Sequence, residues 1–184
     1  PIRSRDPRLV RLEFVVATEV LPTVEGGTAN WPWHVSAIAD LFDGEQVTAL
    51  VELEGELGRD CAARGDEEEA EDHYRSAWRH AQSMQQWDAV DTWARNTGNA
   101  CARQQRFGDA LDCYEAALDA ARQLDGDARV STTLRALASA YHGAVRFEEG
   151  GARLEALAGE LSGGAHMIAL DEARAMAHAG ACGW

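Results

Sequence analysis

Apolar residues recur every three or four positions through most of the chain after residue 47, and the rhythm breaks and resumes at regular intervals. Over 47–64 the apolar positions are Leu50, Leu53, Leu57 and Cys61, which share one helix face. Gly65-Asp66 interrupts the pattern, and 67–84 resumes it with Ala70, Tyr74, Ala77, Trp78 and Ala81 on one side. The same alternation predicts helices over 87–104, 107–124, about 129–144 and 147–161. Asp125-Gly126-Asp127 and Ser162-Gly163-Gly164 read as helix stops. Glu67, Glu68 and Glu69 follow Asp66 where a helix N-terminus favours negative charge.

Residues forty apart align, and size class persists at most of the aligned positions. Gly58, Gly98 and Ala138 align, as do Cys61, Cys101 and Tyr141, and Ala70, Ala110 and Gly150. Tyr74, Tyr114 and Leu154 align, then Ala77, Ala117 and Leu157, then Trp78, Leu118 and Ala158. A run of matches at one spacing marks a repeated structural unit. Small residues mark where two antiparallel helices approach to about 8 Å. The larger Tyr74, Phe107, Tyr114, Tyr141 and Phe147 then fill the gaps between layers. One hairpin cannot bury its own apolar face, so the units must stack. The predicted fold class is all-α: an α-solenoid of antiparallel helix pairs, with repeats over 47–84, 87–124 and 129–161.

The segment Thr97-Gly98-Asn99-Ala100-Cys101, then Phe107-Gly108-Asp109-Ala110, then Tyr114-Glu115-Ala116-Ala117-Leu118 resembles the tetratricopeptide repeat. Leu137-Ala138-Ser139-Ala140-Tyr141 with Phe147 is a second match. Leu57-Gly58, Gly65-Asp66, Ala70, Tyr74 and Ala77 make a third. The forty-residue spacing is similar to the longer-helix variants of kinesin light chains and actinobacterial regulators. The chain departs from the family pattern in lacking a proline that closes each unit, in Glu67 replacing an aromatic, and in Gly150 and Leu154 of the third unit. The resemblance covers 47–162 and implies a scaffold that binds protein or peptide along the first helix of each unit.

Projecting the period backwards sets His34, Ala37 and Ile38 opposite Tyr74, Ala77 and Trp78. With Pro32 in a first turn, 33–42 is expected to be the second helix of a degenerate N-terminal repeat or cap over 1–46. Asp6-Pro7 offers a start for a helix over 7–20, while Phe14-Val15-Val16 also suits a strand, and both readings stay open. Trp31-Pro32-Trp33 reads as a hydrophobic plug on the solenoid end. The last segment, 163–184, is expected to carry a capping helix over 166–179 with Met167, Leu170, Ala173 and Ala177 on one face. Cys182-Gly183-Trp184 reads as a frayed end, or alternatively as a tail that an enzyme recognises or modifies.

Charge narrows the partners. Seventeen basic residues, all arginine, face 31 acidic ones for a net charge of −14. That balance argues against a nucleic-acid backbone and against anionic membrane surfaces. A hydrophobic content of 46% with 4 prolines is enough for a packed core. No apolar run reaches the roughly 20 residues of a membrane span. The chain starts at Pro1, as a trimmed protein or a fragment would, and shows no signal peptide. Cys61, Cys101, Cys113 and Cys182 form no Cys-x-x-Cys pair and read as reduced thiols, which places the protein in the cytoplasm.

Chemistry is sparse. There is no nucleophile elbow, phosphate-binding loop, dinucleotide fingerprint or His-Glu-x-x-His, so no catalytic residue, cofactor or metal is assigned. His178 and Cys182, four apart, make too small a ligand set, and Cys61 and Cys101 read as packing residues. The acidic run over 66–72 reads as a solvated helix start.

Opposite the packing stripe, the first helices carry Arg59, then Arg95, Asn99 and Arg103, then Arg135 and His142. The resemblance implies a concave face here. Guanidinium groups would grip the carboxylates of an acidic or C-terminal peptide, and the Asn99 amide would bond its backbone. The leading reading is a non-catalytic peptide-binding scaffold. Alternatives are a peptide-sensing fragment of a larger regulator, or a carrier whose Cys-Gly-Trp tail is an enzyme's substrate. An enzyme ranks last.

Overall fold

The computed structural model describes residues 44–124 and 127–182. The readings made for 1–43, including the degenerate repeat, the helix or strand near Phe14 and the tryptophan plug, lie outside the described residues, as do Gly183 and Trp184. The described residues form seven helices and no strand. They are α1 (Gly44–Arg64), α2 (Glu67–Ser83), α3 (Trp87–Arg103), α4 (Phe107–Arg122), α5 (Asp127–Gly143), α6 (Phe147–Glu160) and α7 (Gly163–Ala181).

The chain turns at a fixed interval because the turn chemistry repeats. Gly65, Gln85, Gln105 and Val145 sit in the left-handed region at φ 87°, 54°, 61° and 56°. In each case the next N–H reaches five residues back. Asp66 donates to the Cys61 carbonyl at 3.0 Å, Gln86 to Ala81 at 3.0 Å, Arg106 to Cys101 at 2.9 Å and Arg146 to Tyr141 at 3.0 Å. The left-handed residue itself donates three back, as Gly65 does to Ala62 at 3.1 Å. This double bond pattern satisfies the last carbonyls of each helix and fixes the reversal.

Each helix packs on its successor from α1 through α5, and α7 packs on both α5 and α6. The small positions serve aromatic rings. A Cβ on Gly58 would stand 2.6 Å from the Tyr74 ring, and one on Gly98 2.7 Å from Tyr114. So α2 and α4 each lay a tyrosine across a bare patch of the preceding helix. The α5–α6 pair reverses the arrangement: Tyr141 of α5 lies on Gly150 of α6, where an added Cβ would stand 2.7 Å from the tyrosine side chain. Ring and hollow have exchanged helices.

Polar residues tie neighbouring hairpins together. Arg103 Nε donates to Glu67 at 2.6 Å, Arg129 Nη1 to Asp91 at 2.9 Å, Arg153 Nη2 to Glu115 at 2.7 Å and Arg122 Nη2 to Glu160 at 2.9 Å. Each pair bridges residues nearly one period apart.

The apolar face of α7 differs from the expected one. Ala165, Ala169, Ala173 and Met176 are buried, whereas Met167 is 52% exposed and Ala177 is exposed. The reason is steric. α7 lies on two helices at once, and close approach selects the stripe with the smallest side chains rather than the most apolar one.

Candidate functional site

A cleft of about 380 Å³ opens where the end of α1, the start of α2 and the middle of α3 meet. Ala62 and Ala63 come from α1, Glu67 and Tyr74 from α2, and Asn96, Asn99 and Arg103 from α3. The backbone turn at Gly65 brings the first two contributors together, and the one-turn spacing of Asn96, Asn99 and Arg103 puts all three on one side of α3.

Asn99, Arg103 and Glu67 are each held by a partner. The Tyr114 hydroxyl donates to Asn99 Oδ1 at 2.8 Å. Burial pushes the Tyr114 phenol up to about 12, so it remains a donor at neutral pH. With its carbonyl oxygen engaged, Asn99 has its amide N–H groups left to offer. Arg103 Nε is bound to Glu67, yet 47% of the Arg103 side chain is exposed and the remaining guanidinium donors are open.

Beside the cleft, Trp93 packs against the bare face of Gly55 and stacks on Tyr74, with ring centroids 5.9 Å apart and an interplanar angle of 16°. Arg59 lies over the Trp93 ring at 5.2 Å and is 3.9 Å from Glu56. Arg95 is 3.6 Å from the buried Asp91. The structure therefore puts Asn99 and Arg103 in the cleft wall and Arg59 on the aromatic pair beside it. Arg95 is on the same helix, turned toward its own Asp91. Arg135 and His142 are exposed on α5 and do not line the cleft. His142 meets the edge of Phe147 at 5.3 Å between centroids, and Arg135 has no ion pair among the described residues.

Sequence reasoning misses the polar wall residues Asn96, Glu67 and Tyr74, and Ala63 beside them. The one-turn spacing of Asn96 from Asn99 is the available signal. A second cluster escapes it as well. Cys61, Glu69 and His73 place one ligand-type atom each within 4.8 Å of one another. No other group of three such residues occurs among the described residues. The exposed pair at the chain end, His178 and Cys182, stands 3.6 Å apart with no third member.

An all-helical stack of hairpins with a polar cleft on its first helices is the architecture of a repeat interaction scaffold. Residues 90–149 match the family described as Tetratricopeptide repeat. That stretch is similar to the tetratricopeptide-repeat family, whose members are in general non-catalytic protein-interaction scaffolds. No curated protein matches the chain. No helix among the described residues is long and apolar enough to cross a membrane.

Proposed function

We propose that the chain binds an extended peptide of acidic or C-terminal carboxylate character in the cleft between α1, α2 and α3. The observation that carries this reading is the convergence of Asn96, Asn99 and Arg103 on one polar opening, flanked by the Arg59–Trp93–Tyr74 stack. Asn99 donates to the peptide backbone, and Arg103 receives the carboxylate in place of Glu67. Arg59 and Arg95 add positive field at the margins of an otherwise acidic protein. Arg135 and His142 on α5 extend the same surface toward a longer ligand. The chain acts as an adaptor without chemistry of its own, and the cytoplasm is the setting this reading assumes.

The test is a fluorescence-polarisation titration with peptides ending in Asp or Glu, beside the same peptides amidated. Asn99→Ala and Arg103→Ala each weaken binding roughly tenfold, the scale of a lost hydrogen bond. Glu67→Gln strengthens it, because the ligand no longer competes with an internal carboxylate for Arg103. Equal affinity for free and amidated peptides, or indifference to both alanine variants, removes the reading.

A further inference from the structure

The first hairpin carries a polar set that the repeat does not require. Glu54 stands where the next two units have Ala94 and Leu134, both fully buried. Glu54 is itself only 2% exposed, so a carboxylate occupies a core position. Its Oε2 lies 2.7 Å from Nδ1 of His73. His73 in turn stands where the other units have Cys113 and Arg153. A buried acid on one imidazole nitrogen fixes the ring and leaves Nε2 as the nitrogen that can bind.

Next to this pair are Cys61, 3% exposed at the end of α1, and Glu69 in the first turn of α2. Sulfur, imidazole nitrogen and carboxylate oxygen from the three residues come within 4.8 Å of one another. A positive group already sits on them: Arg64 Nη2 is 3.1 Å from Cys61 Sγ and 3.6 Å from Glu69 Oε2. The Arg64 side chain is 58% exposed, and its Nε donates to Asp66 at 3.1 Å, an anchor on the solvent side that can hold the guanidinium once Cys61 and Glu69 are taken up. The later units keep a similar arginine contact without the rest of the set. Arg106 reaches Cys101 Sγ at 3.5 Å and Asp109 at 2.8 Å, and Arg146 lies over the Tyr141 ring and pairs with Glu149.

We propose that Cys61, Glu69 and His73 form a binding site for a borderline-soft divalent cation of the zinc class, with Glu54 orienting His73. Mixed sulfur, nitrogen and oxygen ligation is the donor set that zinc accepts. On binding, a Sγ–metal bond forms, the thiol proton leaves to solvent, Arg64 is displaced and water completes the coordination. The site clamps α1 to α2 and is independent of the peptide cleft in its ligand chemistry.

Co2+ is the probe, added to the chelator-stripped full chain. The expected result is one equivalent bound with a thiolate-to-cobalt charge-transfer band that Zn2+ abolishes. Cys61→Ser removes the band, and Glu69→Gln and His73→Gln weaken binding at least tenfold. Glu54→Gln weakens it by about 10–100-fold, the usual effect of losing an outer carboxylate. Arg64→Ala tightens it. Glu69 and Arg64 are exposed, so their variants report even where Cys61→Ser fails to fold. Absence of the band, a band that persists in Cys61→Ser and disappears in Cys182→Ser, or binding unchanged in both Glu69→Gln and Arg64→Ala overturns the proposal.

Discussion

Val145 is a β-branched residue held at φ 56°, 61% exposed, at a turn where Gly65 performs the same reversal. An L side chain in that region costs about 1–2 kcal/mol through contact with its own carbonyl. Val145→Gly therefore raises the thermal midpoint by about 2–4 °C per kcal/mol gained. A midpoint that stays or falls shows that the strain is absorbed elsewhere. His80 supplies the pH-dependent counterpart. It is 4% exposed with Nε2 unpartnered, and burial lowers its pKa below the ordinary histidine value, partly offset by Glu54. The unfolded chain takes up this proton first as pH falls through about 6.5, so stability is full above that pH and declines below it. Thermal melts of metal-free protein at pH 7.5 and 5.5 show a drop that His80→Gln reduces; an identical drop in the variant removes His80 as its source. At this scale the sequence was only partly readable. Asn99 and Arg103 reached the cleft because a helix face follows from spacing alone. Arg59, Arg95 and Arg103 each also found an acid, since partner choice depends on how one hairpin sits against the next.

Helices and their spacing were legible at the element scale because two independent signals coincide. The three- and four-residue apolar rhythm sets the rods, and the forty-residue repeat of aligned positions sets their spacing, while the left-handed turns that end them are visible only in the structure. The glycine positions show what spacing cannot reveal. Gly58 and Gly98 appear as backbone crossing points, yet each accommodates a tyrosine ring, and the α5–α6 pair swaps ring and hollow. The swap follows a change of size: Tyr141 stands where Cys61 and Cys101 stand, and Leu154 where Tyr74 and Tyr114 stand. The same limit explains the α7 face, where contact with two helices buried Ala165, Ala169, Ala173 and Met176 and left Met167 exposed. Gly98→Ala tests the ring packing directly. Its methyl would fall 2.7 Å from the Tyr114 ring, so the ring must shift and its bond to Asn99 with it. Overpacking of this kind destabilises by about 1–3 kcal/mol, read as a lower denaturation midpoint at unchanged slope. Gly108→Ala, where an added Cβ meets nothing within 4 Å, is the control and leaves the midpoint unchanged or higher.

Among the described residues the apolar content is uneven. The core cluster around α4 to α7 contains Leu111, Leu118, Leu134, Leu137, Leu154 and Leu157. The cluster around α1 to α3 has no leucine and is built from alanines, Val51, Val90, Cys61, Tyr74 and Trp93. The buried acidic and histidine side chains among the described residues, Glu54, Glu71, His80 and Asp91, lie in the same region. In a stack where each hairpin contacts mainly its neighbours, stability is a sum of local terms and need not be uniform. Large apolar side chains contribute about 1.5–3 kcal/mol each on full burial, so the leucine-rich end is the more stable one. Native-state hydrogen exchange will show the slowest amides in α5 and α6 and faster exchange in α1 and α2. The polar cleft lies against this softer end, on α1, α2 and α3. An acidic peptide bound there will slow exchange in those three helices and leave α5 to α7 unchanged, because ligand binding stabilises only the openings that destroy the site. Uniform slowing along the chain would mean that the stack unfolds as one cooperative unit, and α2 exchanging more slowly than α5 would contradict the gradient itself.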